Sequence, residues 1–225
     1  MTNNFSYFLF HPKNVGIPLS LNMNQLISLL GKMILVYLGT IIVTSVLFLP
    51  ILSLLNLFPE QRIRLSAIPL SFKLIVFVPI YEEVIFRLPL KYSKENIFLS
   101  LATLQFLLFY HSFNLIILVC ISFLIASVPH WDLIKESFFS KMERVWQRYF
   151  PFLYYGLALC FGLFHLTNFE NLKLAQYLLF PLLVSNQIIM GLMFGYVRIT
   201  YKNGFIYSVL LHFFINLPLI LISHL

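Results

Sequence analysis

Charge is what this 225-residue sequence has least of: Asp, Glu, Lys and Arg make up 10% of it, where an ordinary soluble domain carries roughly 25%. Acidic residues are rarer still, eight in the whole chain. That scarcity excludes a water-dispersed globular surface, which needs polar groups to cover its apolar interior. The two cysteines, Cys120 and Cys160, both lie in apolar stretches. They exclude a disulfide framework and read as small hydrophobes. Low-complexity linkers and internal repeats are missing too, which leaves a single domain over 1–225. The N-terminus has no basic region followed by a short apolar one. Its first hydrophobic stretch, after Leu26, is too long for a signal peptide and has no small-residue cleavage site, so it is expected to remain as a span.

What is present is apolar mass: 60% hydrophobic residues and a mean hydropathy of +0.89. A helix needs about 20 apolar residues to cross a bilayer. The pattern predicts an all-α, multi-pass transmembrane bundle of about seven spans, with six to eight as the range. They fall near 33–55, 68–90, 96–110, 113–128, 149–168, 176–197 and 204–223, the third and fourth being short enough for a tilted hairpin.

The net charge of +7 points to topology, with no nucleic acid among the expected partners. With the N-terminus inside, Lys13, Lys91, Lys94, Lys135, Lys141, Arg144, Arg148, Arg198 and Lys202 share one side, and Arg62, Arg64 and Lys173 the other. The excess belongs on the cytoplasmic side. Between the fourth and fifth spans, Trp131, Ile134, Phe138, Met142, Val145 and Trp146 recur at helical spacing among Lys, Arg and Glu. This predicts an interfacial amphipathic helix over about 131–148. A simple anchor is the plainer role for it; a gate for substrate is the alternative.

Ionisable groups inside apolar spans cost about 2.5–3.5 kcal/mol each and want a reason. Glu82, Glu83 and Arg87 share one run, Leu74–Leu90. On a helix Arg87 lies about 40° from Glu83 and about 140° from Glu82. Glu83 and Arg87 are thus expected to pair, leaving Glu82 as a candidate general base. The plainer reading is an ion-paired structural knot. His165 follows Phe161 by one turn, so ring and imidazole can pack; a hydrogen-bonded bundle histidine is the alternative. His212 and Asn216 are likewise one turn apart. They could stabilise an oxyanion, worth about 2.7–4 kcal/mol, ligate a metal, or form an interhelical pair worth about 0.6 kcal/mol.

Glu-Glu-x-x-x-Arg at 82–87, Phe-x-x-x-His at 161–165 and His-x-x-x-Asn at 212–216, in that order on separate spans, resemble the CPBP family. This family holds the type II CAAX prenyl endopeptidases and the bacteriocin-processing and bacteriocin-immunity membrane proteins. Gly191–Tyr196 through Gly204–Tyr207 is similar to the family's closing helix pair, and the likeness covers a motif-bearing core of about 68–220. Leu88 stands where the family commonly has Gly. The gap from Arg87 to His165 is also longer, as though the hairpin near 96–128 and the surface helix were inserted.

The resemblance implies an intramembrane endopeptidase acting on a membrane-tethered or prenylated peptide or protein. Glu82 and His165 would activate water, His212 and Asn216 would form an oxyanion hole, and Glu83, Arg87 and Phe161 would support them. No cofactor is needed for that mechanism. Zn²⁺ held by Glu82, His165 and His212 is the less favoured alternative. The implied home is a bacterial cell membrane, with the N-terminus cytoplasmic. A catalytically silent scaffold or immunity protein of the same fold is the chief rival. A transporter with a buried carboxylate relay is the other, against which stands the lack of an inverted repeat.

Overall fold

A computed structural model describes residues 5–13, 18–55, 60–61, 77–110, 112–132 and 134–223. The beginning of the second expected span (68–76) lies outside the described residues, as do Arg62, Arg64 and Lys73. Most of those described are helical, and one pair of two-residue strands accompanies the helices.

The helices are α1 (Phe5–Phe10), α2 (Met23–Leu54), α3 (Val78–Phe86), α4 (Lys94–Phe109), α5 (Leu115–Ser127) and α6 (Glu136–Arg148). They continue as α7 (Phe150–Phe164), α8 (Leu174–Leu178), α9 (Phe180–Leu183), α10 (Ser185–Thr200) and α11 (Gly204–Ser223). The strands β1 (Glu60–Gln61) and β2 (Phe169–Glu170) pair antiparallel. At the other end of the bundle, Leu19 bridges Tyr201 in parallel.

Two helical segments among the described residues are long and apolar enough to cross a membrane: α2, and α7 with the 3₁₀ turn that prolongs it to Asn168. Apolar residues coat α2 nearly all round, and most of them are exposed in the folded chain. It starts ten residues before the expected span, because Asn22 and Gln25 form a reciprocal cap in which each side chain accepts the other's backbone N–H.

The expected span 176–197 is not one helix. It breaks at Leu179 and Val184 into α8, α9 and α10. Pro181 in the first turn of α9 has no N–H to give and crowds the preceding turn, so the helix restarts there. The surface helix forms, but only from Glu136. Phe139, outside the expected apolar stripe, is its buried residue, while Phe138 and Val145 are exposed.

The core is α10, buried almost without interruption from Met190 to Thr200. It packs most extensively on α7, then on α11 and α2. Small residues let α7 and α10 approach: a Cβ on Gly191 would lie 3.0 Å from Ala158 Cα, and one on Gly195 would lie 2.8 Å from Tyr154 Cε2. Against this frame sits α3, and its position fixes the site.

Candidate active site

Pro79 lies in the first turn of α3, which ends at Arg87. The last carbonyls of a helix need partners from elsewhere. Two elements supply them, and a third holds the 3₁₀ turn Leu88–Leu90 that follows. Ser100 Oγ of α4 donates to Ile85 O at 2.8 Å, Arg198 Nε of α10 to Arg87 O at 3.2 Å, and Trp146 Nε1 of α6 to Pro89 O at 2.9 Å. The glutamates therefore ride on a segment pinned from three sides.

Glu83 is fully buried and Glu82 nearly so. Glu83 Oε1 lies 3.5 Å from Arg87 Nε, the pairing that helix geometry predicts. The guanidinium makes no hydrogen bond to a described residue. It lies instead over the Phe161 ring, 4.2 Å from the centroid, with Phe194 at 5.4 Å and Phe86 at 5.8 Å. Cation–π attraction is strongest where water is excluded, so the rings replace solvent around this cation. Phe161 also meets His165 edge-on, centroids 4.7 Å apart.

His165 is the first residue beyond α7. Its Nδ1 lies 2.8 Å from Phe161 O. A carbonyl only accepts, so Nδ1 carries a proton, and in the neutral tautomer that follows Nε2 holds the lone pair. That nitrogen faces Glu82 Oε1 at 4.0 Å, too far for a direct hydrogen bond and suited to a shared water.

His212 is placed differently. Its Nδ1 donates to Glu83 Oε1 at 3.2 Å, and its Nε2 lies 3.4 Å from Glu82 Oε2. Both ring nitrogens face carboxylates, and the residue is 1% exposed. It sits behind Glu82, filling the place of the missing partner that helix geometry on α3 alone left open.

A cavity of about 450 Å³ gathers Glu82, His165 and Asn216 with Tyr37 of α2 and Gln187 of α10, between apolar walls that include Val78, Phe164 and Met190. The structure thus brings Glu82, His165 and Asn216 to one space, with Glu83, Arg87, Phe161 and His212 behind it. Tyr37 and Gln187 were not singled out by sequence. For Gln187 a signal exists in Ser185-Asn186-Gln187, three polar residues in an apolar run. Among the described residues, no three His, Cys, Asp or Glu side chains are disposed to hold a metal. A larger cavity, about 820 Å³, opens between α1, α2 and α10, and it is lined by no carboxylate or histidine.

No protein-family model matches this chain, and no curated protein or solved structure does either.

Proposed function

We propose that this protein is an intramembrane endopeptidase that hydrolyses a peptide bond in a membrane-embedded or membrane-tethered substrate. The observation that carries the reading is the facing of Glu82 Oε1 and His165 Nε2, 4.0 Å apart, in the wall of a cavity shared with Asn216. Two acceptors across a water-sized gap are what a nucleophilic water needs, since it can donate one proton to each.

In the step that follows, the water oxygen bonds to the peptide carbonyl carbon and its proton passes to Glu82. The carbonyl π pair moves to oxygen, and Asn216 donates to the resulting oxyanion. Collapse re-forms the carbonyl and breaks the C–N bond, and the proton on Glu82 leaves with the amine. His212 orients Glu82 from behind. This differs from the oxyanion role that the CPBP resemblance implies for His212. No metal or other cofactor enters the scheme.

The membrane setting rests on the two long apolar segments. Lys91 Nζ donates to Tyr201 O, and Lys94 pairs with Glu136. Lys91, Lys94 and Lys202 therefore gather near one end, as a cytoplasmic face requires. We read the chain as a multi-pass integral membrane protein of about seven spans, six to eight, with its N-terminus cytoplasmic, in a bacterial cell membrane.

The test is cleavage of membrane-tethered peptides by purified protein, with Glu82→Gln as blank and with or without a chelator. Cleavage that Glu82→Gln abolishes and a chelator leaves intact is the expected outcome. Loss on chelation, restored by zinc, would replace the mechanism with a metal-dependent one. Absence of cleavage across a broad peptide pool would favour the silent scaffold or immunity reading.

A further inference from the structure

Beside the cavity that holds Glu82 lies a second space of about 260 Å³, and the same three parts of the chain line both. On α2 the lining passes from Tyr37 to Thr44 and Ser45, and on α10 from Gln187 to Asn186. After α7 it passes from Asn168 to Phe169. Two of these three steps are between chain neighbours, so the spaces adjoin. The 820 Å³ cavity has no such continuity. Its Leu29 and Met33 lie about 80° and 40° to one side of Tyr37 on α2, whereas Ser45 lies about 80° to the other.

None of the residues lining the second space is ionisable, and Phe48, Leu52, Phe169 and Leu182 make much of its wall apolar. Thr44 holds one end of the Asn186 amide, Oγ1 to Oδ1 at 2.8 Å. The other end has no partner among the described residues. A peptide bond must leave its helix before a water can attack it, and the unwound N–H and C=O groups then need partners at membrane depth. A free amide end beside an apolar hollow suits such a segment.

We propose that the 260 Å³ space is a substrate subsite, taking one apolar side chain of the extended segment that flanks the scissile bond while Asn186 bonds to that segment's main chain. The assignment rests on the peptidase reading and gives it a substrate preference. From Tyr37 to Thr44 is about 10 Å along a helix, a distance that an extended chain covers in about three residues. Leucine or phenylalanine at that position is accepted. A charged side chain is refused, because the space offers it no counter-ion.

The experiment uses the full chain in liposomes with single-span peptides varied one position at a time on both sides of the cut, cleavage being read by mass spectrometry and Glu82→Gln serving as blank. Wild type should prefer Leu or Phe to Lys or Asp at one position, about three residues from the cut. The margin in kcat/KM should be about 10-fold or more, the scale on which an apolar pocket discriminates. Ser45 lines the second space and not the first, so Ser45→Phe fills the subsite without touching the reacting groups. It should reverse the order of Leu and Ala at that position alone, with the Ala peptide still cut near the wild-type rate. Ser45→Leu is the smaller filling, used if Ser45→Phe gives no monodisperse protein.

A wild-type profile that is flat at every position overturns the subsite and leaves the space to lipid, while the peptidase reading stands. Ser45 variants that keep the wild-type preference, or that slow Leu and Ala peptides equally, overturn it as well. Equal absence of cleavage in wild type and Glu82→Gln overturns the peptidase reading and the subsite together.

Discussion

Nε2 of His212 lies 3.4 Å from Oε2 of Glu82, so the oxygen of Glu82 turned away from His165 is not free to wander. The same imidazole reaches Glu83 with Nδ1, and Phe194 lies against it, ring centroids 4.9 Å apart. Glu82 is held from behind and open in front. Glu83 is enclosed on every side.

That asymmetry separates two neighbouring carboxylates. Glu82→Gln should abolish cleavage and leave folded protein abundant, since shape is kept and the base is lost. Glu83→Ala strands Arg87 in the interior and should cost about 3–5 kcal/mol, the usual penalty for unpairing a buried charge. Yield of monodisperse protein and its Tm decide the matter. Equal loss of protein in both variants would identify a structural knot with no division of labour.

Arg87 should not be replaceable by lysine. Its planar guanidinium covers Phe161 at 4.2 Å, whereas an ammonium is more strongly hydrated and cannot stack. Arg87→Lys should lose about 2 kcal/mol, the scale of a desolvated cation–π contact. A thermal melt in detergent measures it, and an unchanged Tm would show that charge alone matters at this position.

Gly204 opens α11 directly against the end of α10. A Cβ there would fall on the carbonyl oxygens of Val197 and Arg198, backbone atoms that cannot swing aside. Gly204→Ala should therefore destabilise by about 1–3 kcal/mol. Gly156 in α7 has nothing within 4 Å of the same position, and Gly156→Ala should gain about 0.5–1 kcal/mol from helix propensity. The two alanine variants should move Tm in opposite directions.

Much of this was legible in sequence because it is local. Apolar length marks the helices at 96–110, 113–128 and 204–223 to within a few residues of α4, α5 and α11. The Glu83–Arg87 and Phe161–His165 contacts follow from one-turn spacing on a single element. What was not legible is what one element does to another. The contact between His212 and Glu83 joins residues 129 apart in the chain, and periodicity says nothing across that distance. The break at Pro181 was visible as a proline but not as an interruption, because both flanks are equally apolar. Gln187 was hidden in the same stretch.

Lys91 gives the protein a pH dependence at its surface. Partial burial, and secondarily the charge of Arg198, push its ammonium down to about 8 from an ordinary 10.5. Below about 8 the lysine is charged in folded and unfolded chains alike. Between there and 10.5 only the unfolded chain keeps the proton, so stability rises with pH across that window. Tm measured from pH 7 to 10.5 should climb in the wild type and less so in Lys91→Met. Parallel curves would remove Lys91 as the cause.

The bond from Trp146 to Pro89 O does more than end a helix. Tyr92 adds another, its hydroxyl donating to Phe139 O at 2.7 Å, so α6 and the segment leaving α3 are stitched together twice. On the membrane reading, α6 floats at headgroup depth, and its level in the leaflet becomes a ruler for the level of Glu82. A thicker bilayer or a different headgroup charge would shift that ruler against a substrate anchored by its own span. Which peptide bond meets the water would then be chosen by the lipid as much as by the cavity.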